Sequence, residues 1–135
     1  MALALAKLYH LTAKGEYRAR AERTIAAFSG EIAANFASFP VLLNANDVLL
    51  NAVEVVIVGE REAADTKALT RAVYDLSLPN RVLQIVAPGT ELAPLHPAHG
   101  RGQLSGKATA YVCRKGTCSL PVTEAAALAG LLAGS

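Results

Sequence analysis

Apolar residues step along this chain in two rhythms, and the change from one to the other falls at Val53. Between Tyr17 and Phe36 they recur every three or four positions, at Tyr17, Ala21, Ile25, Phe28, Ile32 and Phe36, with Arg18, Glu22 and Arg23 on the opposite side. That spacing predicts one amphipathic helix. A looser helical pattern at Leu3, Leu5, Leu8 and Leu11 predicts an earlier helix over residues 2–12, stopped by Gly15. Pro40 suits the first turn of a third helix running to about Asn51, because that position needs no N–H.

After Val53 the apolar positions become continuous. Val55-Val56-Ile57-Val58, ended by Gly59, predicts a strand covered on both faces and therefore a parallel neighbour. Asp65 or Thr66 can cap a helix through about Ser77, Pro79-Asn80 breaks it, and Val82-Leu83-Gln84-Ile85-Val86 supplies the next strand, completing a βαβ unit. Residues 89–106 have no period and many Pro, Gly and His residues, which predicts a long irregular connection. Thr109–Cys113 and Thr117–Leu120 then predict a β-hairpin about Lys115-Gly116, and Thr123 caps a last helix over residues 124–133. The expected class is α/β: an N-terminal helical hairpin, then a βαβ unit, a β-hairpin and a C-terminal helix in a small mixed sheet. Residues 1–52 form the helical segment and residues 53–135 the α/β subdomain.

Composition narrows the function classes. With 53% hydrophobic and 18% charged residues, the 135-residue chain has the makings of a packed core. A formal charge of +2, with no Lys/Arg run, supplies no field for nucleic acid. Lys7, Lys14 and the Arg18–Arg23 cluster interrupt the N-terminal apolar stretch short of the ~18–20 residues a membrane span needs, so no membrane partner is expected. Lys7 also falls where a signal peptide would keep its apolar region, and two cysteines without an export signal point to a reducing, cytoplasmic setting.

Cys113 and Cys118 are the sharpest chemical feature. A two-residue turn at Lys115-Gly116 makes them a non-hydrogen-bonded cross-strand pair with Cα atoms ~4.5 Å apart, close enough for a disulfide. A three-residue loop with Gly116 left-handed instead sets Cys113 opposite Thr117 and loses that register. The spacing is not C-x-x-C and neither cysteine opens a helix, so reduced, structural thiols are the default reading, with a redox-active or regulatory pair as the rival and metal ligation third. His96 and His99 could join the two thiols in a zinc set, but Pro97 between them bars a helix, and a solvated loop is the plainer expectation. His10 reads as a surface or groove histidine without a nameable partner.

Gly59 and Glu60 sit where open α/β sheets bind ligands, after a strand and before a helix, and are the candidate ligand-binding residues. One glycine falls short of G-x-G-x-x-G, and Glu60 with Glu62 would repel a phosphate, so an ordinary strand-to-helix turn competes with that reading. Asp65 reads as a helix cap and Asp75 as a solvated helix residue. The chain holds no G-x-S-x-G, H-E-x-x-H or P-loop motif, and it implies no catalytic residue, no metal and no cofactor.

Ala110-Tyr111-Val112-Cys113-Arg114, followed by Cys118 and Pro121-Val122-Thr123, resembles the C-terminal end of the thioredoxin-domain-containing, spermatogenesis-associated-like protein family. The similarity extends through Glu54-Val55-Val56-Ile57-Val58-Gly59 and Leu78-Pro79-Asn80-Arg81-Val82, and more loosely to Leu8-Tyr9 and Tyr17. The resemblance implies a larger parent with a thioredoxin-like domain, then an α/α toroid similar to N-acylglucosamine 2-epimerases, then this segment. Its redox cysteines would lie outside this chain. Where Lys115-Gly116 stand, the resemblance implies a polar residue and an aromatic one.

Met1 leads directly into an apolar helix without a capping residue, as expected of a segment cut from a helical array. Residues 1–52 would then end a toroid, and their second apolar face would seek the remainder of the parent chain or a second copy. The function expected is a non-catalytic structural or interaction domain of a larger protein. The rivals are a redox role for Cys113 and Cys118 and a sugar- or nucleotide-binding module beside Gly59.

Overall fold

The computed structural model describes residues 1–134, which divide into two compact units, Met1–Ala52 and the chain from Val53 onward. The first is all helical: α1 (Ala2–Thr12), α2 (Gly15–Ala27), α3 (Ser29–Ala34), a 3-10 turn (Phe36–Ser38) and α4 (Pro40–Asn51). Pro40 occupies the opening turn of α4, where its missing N–H leaves no intrahelical bond unmade. α1 packs against both α2 and α4. The buried side chains are mostly small: Ala2 and Ala6 of α1, Ala21 of α2 and Ala45 of α4, with Leu5, Val48 and Leu49 filling between them. Alanines at the crossing points let the helix axes approach closely.

Two expectations for this unit need correction. Gly15 does not stop the first helix: Ala13 does, in the left-handed conformation (φ 56°), its N–H donating to Tyr9 O, and Gly15 opens α2 instead. The expected single helix through Phe36 is also broken, at Phe28 (φ −109°, ψ 11°) and again at Asn35. Ser29-Gly30, both weak helix formers, follow the first break. The stripe from Tyr17 to Phe36 is consequently not a core face. Only Ala21 of its members is buried, and Phe36 is 69% exposed.

The second unit is a four-stranded sheet in the order β2-β1-β3-β4, formed by β1 (Val53–Val58), β2 (Arg81–Val86), β3 (Thr109–Arg114) and β4 (Thr117–Cys118). β1 and β2 run parallel, joined through α5 (Ala64–Tyr74), so the βαβ unit is present as expected. β3 lies antiparallel on the other side of β1, with Val55 opposite Val112 and Ile57 opposite Ala110. α6 (Ala125–Ala133) completes the unit.

Side-chain alternation divides the sheet into two faces. Val53, Val55 and Ile57 join Ala110 and Val112 against Leu69 and Val73 of α5 and Leu128 and Leu132 of α6, forming the main core. Burial of each such Val or Leu side chain stabilises by roughly 1.5–3 kcal/mol. The opposite face carries Val56 and Val86, which pack with Ala98 and Leu92 of the connection between β2 and β3. β1 is thus buried on both sides, which explains its unbroken valine-isoleucine run. Helix ends differ slightly from expectation: α5 begins after Ala63 rather than at an Asp65 or Thr66 cap and stops at Tyr74, and Glu124 rather than Thr123 is the N-cap of α6.

Candidate functional site

The cysteine hairpin is built from its turn outward. Lys115 (φ 50°) and Gly116 (φ 77°) both adopt positive φ, the backbone of a two-residue turn whose twist matches the flanking strands. That turn sets Arg114 opposite Thr117 and Cys113 opposite Cys118. The two cysteines form a disulfide, with Cα atoms 4.0 Å apart, as close cross-strand neighbours should be. The default expectation of reduced thiols is therefore corrected. The physical reason is register: a three-residue loop would have moved Cys113 to face Thr117 and separated the sulfurs.

Cys113 is buried and stands opposite Glu54 across the β1–β3 ladder, on the same face of the sheet. Cys118, in the two-residue edge strand, is only half-buried.

The same face carries a polar group centred on His96. His96 is buried, and its ring is held at both nitrogens: Ala98 N–H donates to Nδ1 at 3.1 Å, and Nε2 lies 2.7 Å from Gln84 Oε1. Because Nδ1 accepts, the proton resides on Nε2 and is donated to Gln84. The ring is neutral, and burial pushes its pKa below the ordinary histidine value, with the Glu54 carboxylate opposing. Tyr111 donates its hydroxyl to Gly102 O at 2.6 Å, with the Arg101 guanidinium 5.1 Å from its ring centroid. The expectation of a solvated loop at His96 is corrected: the connection is fastened to the sheet at Gln84 and Tyr111. The signal lay in the strands, where Glu54 and Gln84 are polar interruptions of apolar runs.

His99 Nδ1 lies 2.8 Å from Leu92 O, and His10 Nε2 lies 2.9 Å from Val48 O. Among the described residues no group of three His, Cys, Asp or Glu is placed to hold a metal ion.

Gly59, at the carboxyl end of β1, is buried in a tight packing contact. A Cβ there would stand 2.5 Å from Thr66 Oγ1 and 3.0 Å from the Ala108 side chain, so the position demands glycine for close helix-to-strand approach. The start of α5 already carries an anion: Asp65 accepts from Thr66 N–H at 2.9 Å and from Ala108 N–H at 2.7 Å. These two bonds hold the Asp65 carboxyl below the usual carboxylate range. Glu60 is exposed beside this packed end.

No protein-family model matches the chain, and no solved structure matches it. Curated relatives do. Spermatogenesis-associated protein 20 of Homo sapiens is 39% identical over 82 residues, 58% of this chain and 10% of that protein. The Rattus norvegicus protein of the same name is 27% identical over 132 residues, 95% of this chain and 17% of its own length, and the Mus musculus one is 33% identical over 82 residues. The chain thus spans 10–17% of the length of these relatives. The expected resemblance is borne out as a similarity: the chain is similar to spermatogenesis-associated protein 20 over a short segment of that protein's length.

Proposed function

We propose that this chain is a non-catalytic C-terminal segment of a larger thioredoxin-like protein, and that its helical first unit ends an α/α toroid in that parent. The observation that carries this reading is the 10–17% share of the relatives that the chain covers. The surface of the first unit supports it: Phe28, Phe36, Val41, Leu43 and Leu50 are all exposed large apolar side chains. Monomeric proteins seldom leave such a population uncovered, so the remainder of the parent is its natural occupant. The parent would be cytoplasmic, with its redox cysteines outside these residues.

Two measurements test this. The reading frame upstream of Met1 should encode a thioredoxin-type C-x-x-C, and a stop codon immediately before Met1 would overturn the segment reading. The isolated chain should also self-associate through the first unit, detected by light scattering, and a clean monomer at high concentration counts against an uncovered docking face.

A second reading rests on the Cys113–Cys118 bridge. In it, two electrons and two protons from a partner dithiol open the disulfide to two thiols, the partner leaving as its own disulfide, and the hairpin reports redox state. Thiol titration across a series of dithiol buffers checks this: a bridge that stays closed while the fold persists excludes it.

A further inference from the structure

Among the described residues β2 is an edge strand, paired on one side only. Val53 N–H donates to Asn80 O at 3.1 Å and Gly59 N–H to Val86 O at 2.9 Å. In a parallel ladder each residue turns both backbone groups toward one neighbour, and successive residues alternate. Val82, Gln84 and Val86 therefore face β1, while Leu83 and Ile85 turn their N–H and C=O outward. Natural sheets blunt such edges with proline, lysine, bulges or very short strands. β2 carries one charge, Arg81 at its start, and is otherwise open: it is six residues long, keeps continuous register with β1, and contains neither Pro nor Lys.

Beside this edge lies a groove of about 520 Å³, whose lining includes Arg61, Glu62, Lys67, Arg71, Tyr74 and Ile85. Its charge is mainly positive. Glu62 meets Lys67 at 2.7 Å and Asp75 meets Arg71 at 4.0 Å, both on the surface, while the Arg81 guanidinium, 4.6 Å from the Tyr74 ring centroid, donates to Val73 O at 3.0 Å. Lys67, Arg71 and Tyr74 are all well exposed.

We infer that the β2 edge and this groove together form a docking site for an extended acidic peptide that adds to the sheet as a fifth strand. Backbone pairing at Leu83 and Ile85 supplies register. Alternate side chains of the added strand point to the α5 side, into the groove, and should be Glu or Asp. The intervening ones extend the surface of Val82, Gln84 and Val86 and should be apolar.

A capped hexapeptide alternating valine and glutamate is the probe, added to the 135-residue chain at low salt. Binding should slow amide exchange at Leu83 and Ile85, while Val82, Gln84 and Val86 are protected before and after. Lys67→Gln with Arg71→Gln should weaken binding by about tenfold or more while circular dichroism shows the fold retained, since both side chains are exposed. A peptide of the same sequence, N-methylated at every backbone nitrogen, cannot donate to the edge and should not bind. Equal binding of that N-methylated peptide would reduce the site to charge attraction and overturn the proposal. So would slow exchange of Leu83 and Ile85 in the free chain, or protection there that rises with protein concentration alone, which would make a second copy the occupant.

Discussion

The carboxylate of Asp65, in the first turn of α5, accepts a hydrogen bond from the backbone N–H of Ala108, the residue before β3, at 2.7 Å across 43 positions of sequence. Its other oxygen takes the Thr66 N–H, so one side chain ties a helix start to a strand start. Asp65→Ala should lower the thermal midpoint measurably more than Asp75→Ala, whose carboxylate only reaches Arg71 at 4.0 Å on the surface. The pH dependence has a definite sign. The folded carboxyl is held below its ordinary value, so its stabilisation is present above about pH 4 and is lost as pH falls through the depressed folded value. Urea unfolding followed from pH 6 downward should show this loss in the parent chain and not in Asp65→Ala.

Gly59→Ala tests the tight end of β1. The new methyl would stand 2.5 Å from Thr66 Oγ1 and 3.0 Å from Ala108 Cβ, and neither element can withdraw freely. Overpacking of this kind costs about 1–3 kcal/mol. Thr66→Ala should recover part of that loss in the double variant, so a double-mutant cycle by chemical denaturation should give a favourable coupling. Strict additivity would refute the contact.

His96 should act as a pH-dependent fastener. Its Nδ1 accepts from Ala98, and protonation would set two N–H groups against each other. Because burial lowers the folded pKa, the cation binds the unfolded chain better; the stabilisation is complete above about pH 6.5 and declines as pH falls below it. Protection factors at residues 92–98, taken against the intrinsic exchange rate at each pH, should therefore fall between about pH 7 and 5.5. His96→Gln should flatten that dependence, and an unchanged profile in the variant would remove His96 as its cause.

The hairpin turn places a lysine in left-handed backbone at Lys115, a conformation costing most residues roughly 1–2 kcal/mol. Asn tolerates that region and Asn-Gly is the preferred two-residue turn, so Lys115→Asn should stabilise by about 0.5–1 kcal/mol. Lys115→Val should destabilise by more than about 1 kcal/mol. Both are read from the midpoint of urea unfolding.

Reducing the disulfide relaxes only a short loop of the unfolded chain. On loop entropy, reduction of the Cys113–Cys118 bridge should cost about 2 kcal/mol and leave the fold intact. Circular dichroism and urea titration with and without a dithiol measure this. Global unfolding on reduction would mean that the bridge, rather than the core of Leu69, Val73, Leu128 and Leu132, sustains the sheet.

The sequence by itself determined the βαβ unit, the long connection and the start of α4, because each rests on a local property: the continuous apolarity of Val55–Val58, the Pro and Gly residues of 89–106, the fixed φ of Pro40. The candidate site was legible only as residue types. Which way the Lys115-Gly116 turn closes, that His96 is buried against Gln84, that Gly59 serves Thr66 rather than a ligand, and that Asp65 reaches Ala108 were decided by the tertiary structure. So was the break at Phe28, where a persistent apolar period ran through residues that do not form one helix. The reason is common to all of them. Periodicity records which side of an element prefers to leave water, but hydrogen bonds and contacts between residues tens of positions apart form only when the strands and helices have closed around one core.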